Sequence, residues 1–207
     1  LLHYMVIGPK RFAHDGPQVY YFNLFTRIIH WIAAISFSLL TITGLLVIFG
    51  KVFGGGAVIM AGRSVHILFA IIFTISAVPM FLVWLRDMLP AGYDIKWLFV
   101  MGGYLSKENM PVPSGKFNAG QKMWFWLATL GGFVMAYSGF ILWSFQGPVD
   151  SLRLMAIIHN FLGAALTAFF FTHLYMALFA IAGSLGSMIS GYTSKEEVAI
   201  LHSRYKS

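Results

Sequence analysis

The stretch that decides the fold is "AIIHNFLGAALTAFFFTHLYMALFAIAG", residues 156–183. It is apolar almost throughout and long enough to cross a bilayer, which takes about 20 residues of helix. It also carries two histidines, His159 and His173. A histidine in the hydrocarbon region costs free energy unless it has a partner. Fourteen residues of helix rise about 21 Å and make nearly four full turns. The two imidazoles therefore stand on one face, one above the other.

The rest of the chain has the same character. It is 58% hydrophobic and only 10% charged, where a soluble domain carries about a quarter charged residues. An all-α integral membrane protein follows. With no cysteine, a protein-borne iron–sulfur cluster, a thiolate metal site and any disulfide are excluded. The net charge of +7 reads as basic segments flanking a membrane, not as a nucleic-acid surface. The first residues show no signal-peptide pattern. Four crossings are expected, at about 27–49, 64–85, 121–145 and 152–182. Between them lie the turn-forming clusters "GKVFGGG", "LPAGYD" and "QGP". The stretch 90–120 is the one long connection. No repeat or second domain is seen, so residues 1–207 are expected to form a single domain, a four-helix transmembrane bundle.

Lysine and arginine set the orientation. Lys10, Arg11 and Arg27 precede the first crossing. Arg86, Lys96, Lys107, Lys116 and Lys122 lie between the second and third, and Lys195, Arg204 and Lys206 in the tail. Only Lys51, Arg63 and Arg153 fall on the other side. This bias places residues 1–26, the long connection and the tail 183–207 on the cytoplasmic side of the membrane. His30 then lies near the inner face and His66 near the outer. His159 is outer and His173 inner. The four pair by depth, His66 with His159 and His30 with His173. That is the arrangement two stacked b-type haems require, each iron held by two axial histidines inside a helical bundle.

Further residues fit a haem bundle. Arg27 precedes His30 by three and Arg63 precedes His66 by three, so each pair shares a helix face. Either arginine could meet a haem propionate. Gly44 lies fourteen residues after His30, at the depth of the outer haem, and Gly139 and Gly163 would also let a flat macrocycle approach the backbone. A lone membrane histidine could simply hydrogen-bond a neighbouring helix, but four that pair by depth argue against that. Zinc would want its ligands at one point rather than at two depths. A proton-relaying transporter would want acids beside the histidines. Asp15, Asp87, Asp94, Glu108, Asp150, Glu196 and Glu197 all lie at or outside the crossings. His3, His14 and His202, in the flanking segments, are expected to be surface residues, and the many Phe and Met residues to serve packing and lipid contact.

"SGKFNAGQKMWFW", residues 114–126, is the second informative stretch. Asn118 and Gln121 suit a helix start with a capping box. The same residues would offer donors to a quinone head group near the inner haem, with Gly120 letting the ring approach and Lys122 adding positive charge.

With these residues in view, the chain resembles the cytochrome b (gamma) subunits of membrane-bound respiratory formate dehydrogenases, from about residue 23 onward. The matching motifs are "R-x-x-H-W" at 27–31, "G-R-x-x-H" at 62–66, "D-I-x-W" at 94–97, "G-K-F-N-A-G-Q-K-M-x-F-W" at 115–126 and "H-x13-H-x-Y-M-A" at 159–177. The resemblance implies two haems b, one on His66 and His159 and one on His30 and His173. It implies a menaquinone or ubiquinone site at Asn118, Gly120, Gln121, Lys122 and His173. It implies electrons arriving from an iron–sulfur subunit served by a molybdenum or tungsten catalytic subunit, in a complex that could form a higher oligomer. The chain would thus carry quinone reduction but not formate oxidation. The segment before the first crossing is longer than the family leads one to expect, and the tail after Tyr192 shorter and less basic. Both leave room for another catalytic partner, a hydrogenase or a thiosulfate reductase.

Overall fold

The computed structural model describes residues 2–13 and 16–205. The expectations placed on His14, Asp15 and Lys206 fall outside them. In chain order the elements are a short helix α1 (Leu2–Val6), strand β1 (Gln18–Tyr20), helices α2 (Leu24–Ile48), α3 (Gly56–Trp84), α4 (Gly92–Phe99), α5 (Ala119–Ser144), α6 (Val149–Tyr175) and α7 (Gly186–Ser190), strand β2 (Tyr192–Ser194) and helix α8 (Lys195–Leu201). A π-helical turn, Met176–Ala180, continues α6. Four helices are long and apolar enough to cross a membrane: α2, α3, α5, and α6 with its π-turn. In their most apolar windows only 11% to 28% of residues are buried. The exposed remainder, such as Phe161 and Ile75, is apolar surface suited to lipid.

One boundary differs from the sequence reading. The second crossing begins at Gly56, eight residues before the expected position 64. Its first turns, "GAVIMAGR", carry two glycines and an arginine, which read as a loop but are tolerated in a membrane helix. Gly54, Gly55 and Gly56 all have positive φ (89°, 63° and 54°). Three successive left-handed residues are open only to glycine, and they fix the sharp entry into α3. His66 therefore stands ten residues inside its helix, as His159 stands ten residues inside α6.

The chain divides into two compact units. One comprises residues 28–83 and 127–168, the larger part of the four long helices. Small residues set its packing. Gly131 faces Leu162 and Leu166, Gly132 faces the Phe73 ring, and Gly62 faces Leu46. Phe37 meets Phe73 edge to face at 5.4 Å, beside buried Ala33 and Ala77. Such close backbone approach is the usual adhesive between membrane helices.

The other unit comprises residues 1–27, 84–126 and 169–207. Here the N-terminal segment is knitted to the tail and the long connection. β1 pairs antiparallel with β2 in the register Gln18↔Ser194. Lys10 bridges Ile181, and its buried Nζ donates to the carbonyls of Ser106 (2.7 Å) and Glu108 (2.5 Å). Val112 N–H donates to Ile200. Phe22, Trp84 and Phe117 pack ring to ring. Two of the histidines expected on the surface are not there. His202 is buried, its Nδ1–H donating to the Gly115 carbonyl at 2.8 Å, and burial holds its pKa down to about 4. His3 is half-buried. Its Nε2–H donates to the Tyr104 carbonyl (2.7 Å) and its Nδ1 accepts from the Tyr175 hydroxyl (2.5 Å). These partners, Gly115, Tyr104 and Tyr175, lie far from the two histidines in sequence.

Candidate functional site

The unit formed by residues 28–83 and 127–168 holds a histidine pair. His66 on α3 and His159 on α6 face one another with ring centroids 6.3 Å apart and planes at 64°. Each Nδ1 is held by a hydroxyl on a neighbouring helix, His66 by Thr43 and His159 by Ser138, both at 2.9 Å. Each hydroxyl is followed by a glycine that leaves room for the ring. A Cβ on Gly44 would lie 3.5 Å from His66 Cε1, and one on Gly139 would lie 3.1 Å from His159 Cε1. The two glycines thus make space for the imidazoles. Gly163 faces the Met135 methyl instead.

The residues present fit an iron between two imidazoles. A metal–imidazole bond of about 2 Å, with the ring centre about 1 Å behind the nitrogen, puts two ligating rings about 6 Å apart. With both Nδ1 atoms engaged, only the Nε2 atoms remain to ligate. Among the described residues no cluster of three or more His, Asp or Glu could hold a bare metal ion.

The other two histidines are held differently. His173 is stacked on Trp124 at 5.5 Å, the planes 19° apart. His30, near the start of α2, meets the Trp31 ring edge-on at 5.7 Å. Arg27 donates through one guanidinium nitrogen to the Ile189 carbonyl, while its Nε is buried without a hydrogen-bond partner. Arg63, seven residues inside α3, is exposed.

The stretch at the start of α5 is built as a helix cap. Gln121 N–H donates to Asn118 Oδ1 and Asn118 N–H donates to Gln121 Oε1, both at 2.9 Å. This is a reciprocal capping box with asparagine in the first position. Asn118 is buried and also bonds the Tyr104 hydroxyl. Burial, reinforced by the Glu197 carboxylate, pushes Tyr104 well above the ordinary phenol range. Lys122 is not an open cation. Its Nζ donates to Asp94 Oδ2 at 2.8 Å with both side chains buried, and it lies over the Tyr93 ring at 5.0 Å. Nor does Gly120 face open space, since a Cβ there would meet the Trp97 indole at 3.0 Å. Gln121 alone of this group is exposed, and its capping bond uses only the side-chain oxygen. A cleft of about 310 Å³ lined by Tyr4, Pro9, Arg11, Phe12, Leu178, Phe179 and Ala182 includes none of the residues expected to hold haem or quinone.

Sequence reasoning missed Thr43, Ser138, Trp124 and Asp94. A signal existed for the first two. "T-G" at 43–44 and "S-G" at 138–139 place a hydroxyl beside a glycine in two crossings at the depth of His66 and His159. For Asp94 and Trp97 the signal was the "D-I-x-W" motif, whose first and last residues pack on Lys122 and Gly120.

Comparison with known proteins places the chain among membrane cytochromes b. The chain is 30% identical over 190 residues to the cytochrome b556(Fdn) subunit of the nitrate-inducible formate dehydrogenase of Escherichia coli K12, covering 86% of each. It is 28% identical over 189 residues to the cytochrome b556(fdo) subunit of formate dehydrogenase from the same strain, covering 86% of this chain and 87% of that one. It is 25% identical over 190 residues to the formate dehydrogenase cytochrome b556 subunit of Haemophilus influenzae, covering 86% and 78%. Residues 21–191 match the profile of the prokaryotic cytochrome b561 family. With four helices long and apolar enough to cross a membrane and a facing histidine pair, this multi-pass membrane chain belongs to the prokaryotic cytochrome b561 family, whose members are helical membrane proteins that bind haem b.

Proposed function

We propose that the chain is the membrane cytochrome b subunit of a respiratory formate dehydrogenase in a bacterial inner membrane, with both termini in the cytoplasm. It takes electrons from an iron–sulfur subunit, itself served by a molybdenum or tungsten catalytic subunit. It delivers them to menaquinone or ubiquinone on the cytoplasmic side. The observation that carries the reading is the facing His66–His159 pair, in a chain aligned over 86% of its length with subunits of that name. Bound haem supplies one-electron transfer, and the protein supplies ligation, spacing and polarity.

Each residue has a defined task in this reading. His66 and His159 hold the outer haem. His30 and His173 hold the inner one, by the fourteen-residue register of His173 below His159, and Trp124 fixes the plane of the His173 ring. Arg27 turns its unpartnered Nε–H toward a propionate. Arg63, exposed and three residues before His66, would meet a propionate of the outer haem. At the quinone, Gln121 donates from its exposed amide and Asn118 orients it through the capping box. Gly120 and Lys122 act from behind, seating Trp97 and Asp94. Protons enter from the cytoplasm, and formate oxidation belongs to the catalytic subunit.

Membranes from cells lacking only this chain should lose formate-dependent quinone reduction while a soluble dye still accepts electrons from formate. Intact formate-to-quinone transfer, with hydrogen- or thiosulfate-linked turnover lost instead, would assign the chain to a different enzyme. Gln121→Ala should slow quinol formation about tenfold, the cost of one hydrogen bond to the head group, with both haems retained. An unchanged rate would remove Gln121 from the site.

A further inference from the structure

Thr43 and Ser138 occupy matched places. Thr43 on α2 touches His66 on α3, and Ser138 on α5 touches His159 on α6, each at 2.9 Å. Each hydroxyl donates its proton to the carbonyl four residues back on its own helix, Thr43 to Leu39 at 2.6 Å and Ser138 to Val134 at 2.7 Å. With that proton spent, the oxygen presents a lone pair to the imidazole. The tautomer that meets this lone pair carries the proton on Nδ1 and leaves Nε2 bare. Both hydroxyls are buried, Ser138 completely, so water does not compete for these bonds.

We infer that Thr43 and Ser138 are a matched pair of positioning residues that fix the tautomer and raise the electron density of the two imidazoles ligating one iron. The inference rests on the reading of His66 and His159 as haem ligands. A hydroxyl accepting from Nδ1–H pulls that proton outward and leaves more negative charge on the ring, which strengthens Nε2 as a donor. A stronger donor favours ferric over ferrous iron. Because both axial ligands are treated alike, each hydroxyl biases the same iron in the same direction.

The test is a redox titration of the haem-loaded full-length chain, read by visible absorbance and by low-temperature electron paramagnetic resonance. Thr43→Val and Ser138→Ala should each move the outer haem's midpoint potential in the positive direction and alter its low-spin ferric g-values. The inner haem should stay where it is. Thr43→Ser, which keeps the hydroxyl, should titrate like the unaltered chain, and the double variant should shift by more than either single one. Loss of the outer haem from Thr43→Val with retention in Thr43→Ser carries the same meaning. Unaltered potential and g-values in both Thr43→Val and Ser138→Ala would overturn the inference. So would an equal change in Thr43→Ser, because side-chain packing rather than the hydroxyl would then be responsible. Absence of an outer-haem signal from the unaltered chain would instead strike the ligand assignment itself, and is distinguished by appearing in every preparation.

Discussion

At the scale of the residue, the imidazoles at positions 66 and 159 sit in cradles of unequal tightness. The Cβ of Gly44→Ala would lie at an ordinary contact distance from its histidine, whereas that of Gly139→Ala would lie 3.1 Å from His159 Cε1. The His159 ring would have to give by a few tenths of an ångström. Gly139→Ala should therefore distort the outer haem's ferric spectrum more than Gly44→Ala does, and Gly163→Ala, set against a flexible Met135 methyl, should leave it unchanged. Equal effects at Gly44 and Gly139 in parallel spectra would show that the cradle is looser than drawn. The four histidines were legible in the sequence because an imidazole inside an apolar helix is costly and demands a reason. The hydroxyls were not, because serine and threonine can bond their own helix in a membrane and nothing local separates that use from a second one. Only the neighbouring helix reveals it.

At the scale of the element, α4 and the start of α5 form one structure. Asp94 accepts from the Ala91 N–H and from Lys122, so it caps α4 and neutralises α5 at once. Removing one partner of a buried pair strands the other charge and costs about 3–5 kcal/mol. Lys122→Met should accordingly lower the thermal midpoint of the purified chain, and Lys122→Met combined with Asp94→Leu should recover much of the loss. A single variant as stable as the parent would mean that the pair is open to water. The existence of the four long helices was plain from apolar length. Their ends were less so, and the start of α3 moved by two turns because glycine and a single arginine look like loop when the solvent is taken to be water. The capping box of Asn118 and Gln121 was readable as a local pattern. That Lys122 is committed to Asp94 was not, since the two lie 28 residues apart.

At the scale of the molecule, the unit built from residues 1–27, 84–126 and 169–207 depends on contacts distant in sequence: Lys10 with Ile181 and Gln18 with Ser194. No periodicity announces such pairings, which is why the N-terminal segment read only as an unusual extension. The tail is held partly by buried His202. Its folded pKa of about 4 lies below the ordinary value of 6.5, so the unfolded form binds the proton more readily. The stability it contributes is complete above about pH 6.5 and drains away as pH falls toward 4, with an upper bound of about 3 kcal/mol. Hydrogen exchange at residues 195–205 should speed up over that interval. His202→Asn, which keeps a donor for the Gly115 carbonyl but does not titrate there, should flatten the dependence. The same pH profile in both chains would assign the effect elsewhere.

The most direct measurement is a reduced-minus-oxidised visible spectrum, with a haem count, on the detergent-purified chain and on its His159→Ala variant. Two low-spin, six-coordinate haems b are expected in the first and one in the second, the outer haem being lost. A well-folded chain without haem, or a His159→Ala variant that keeps both, would contradict this reading.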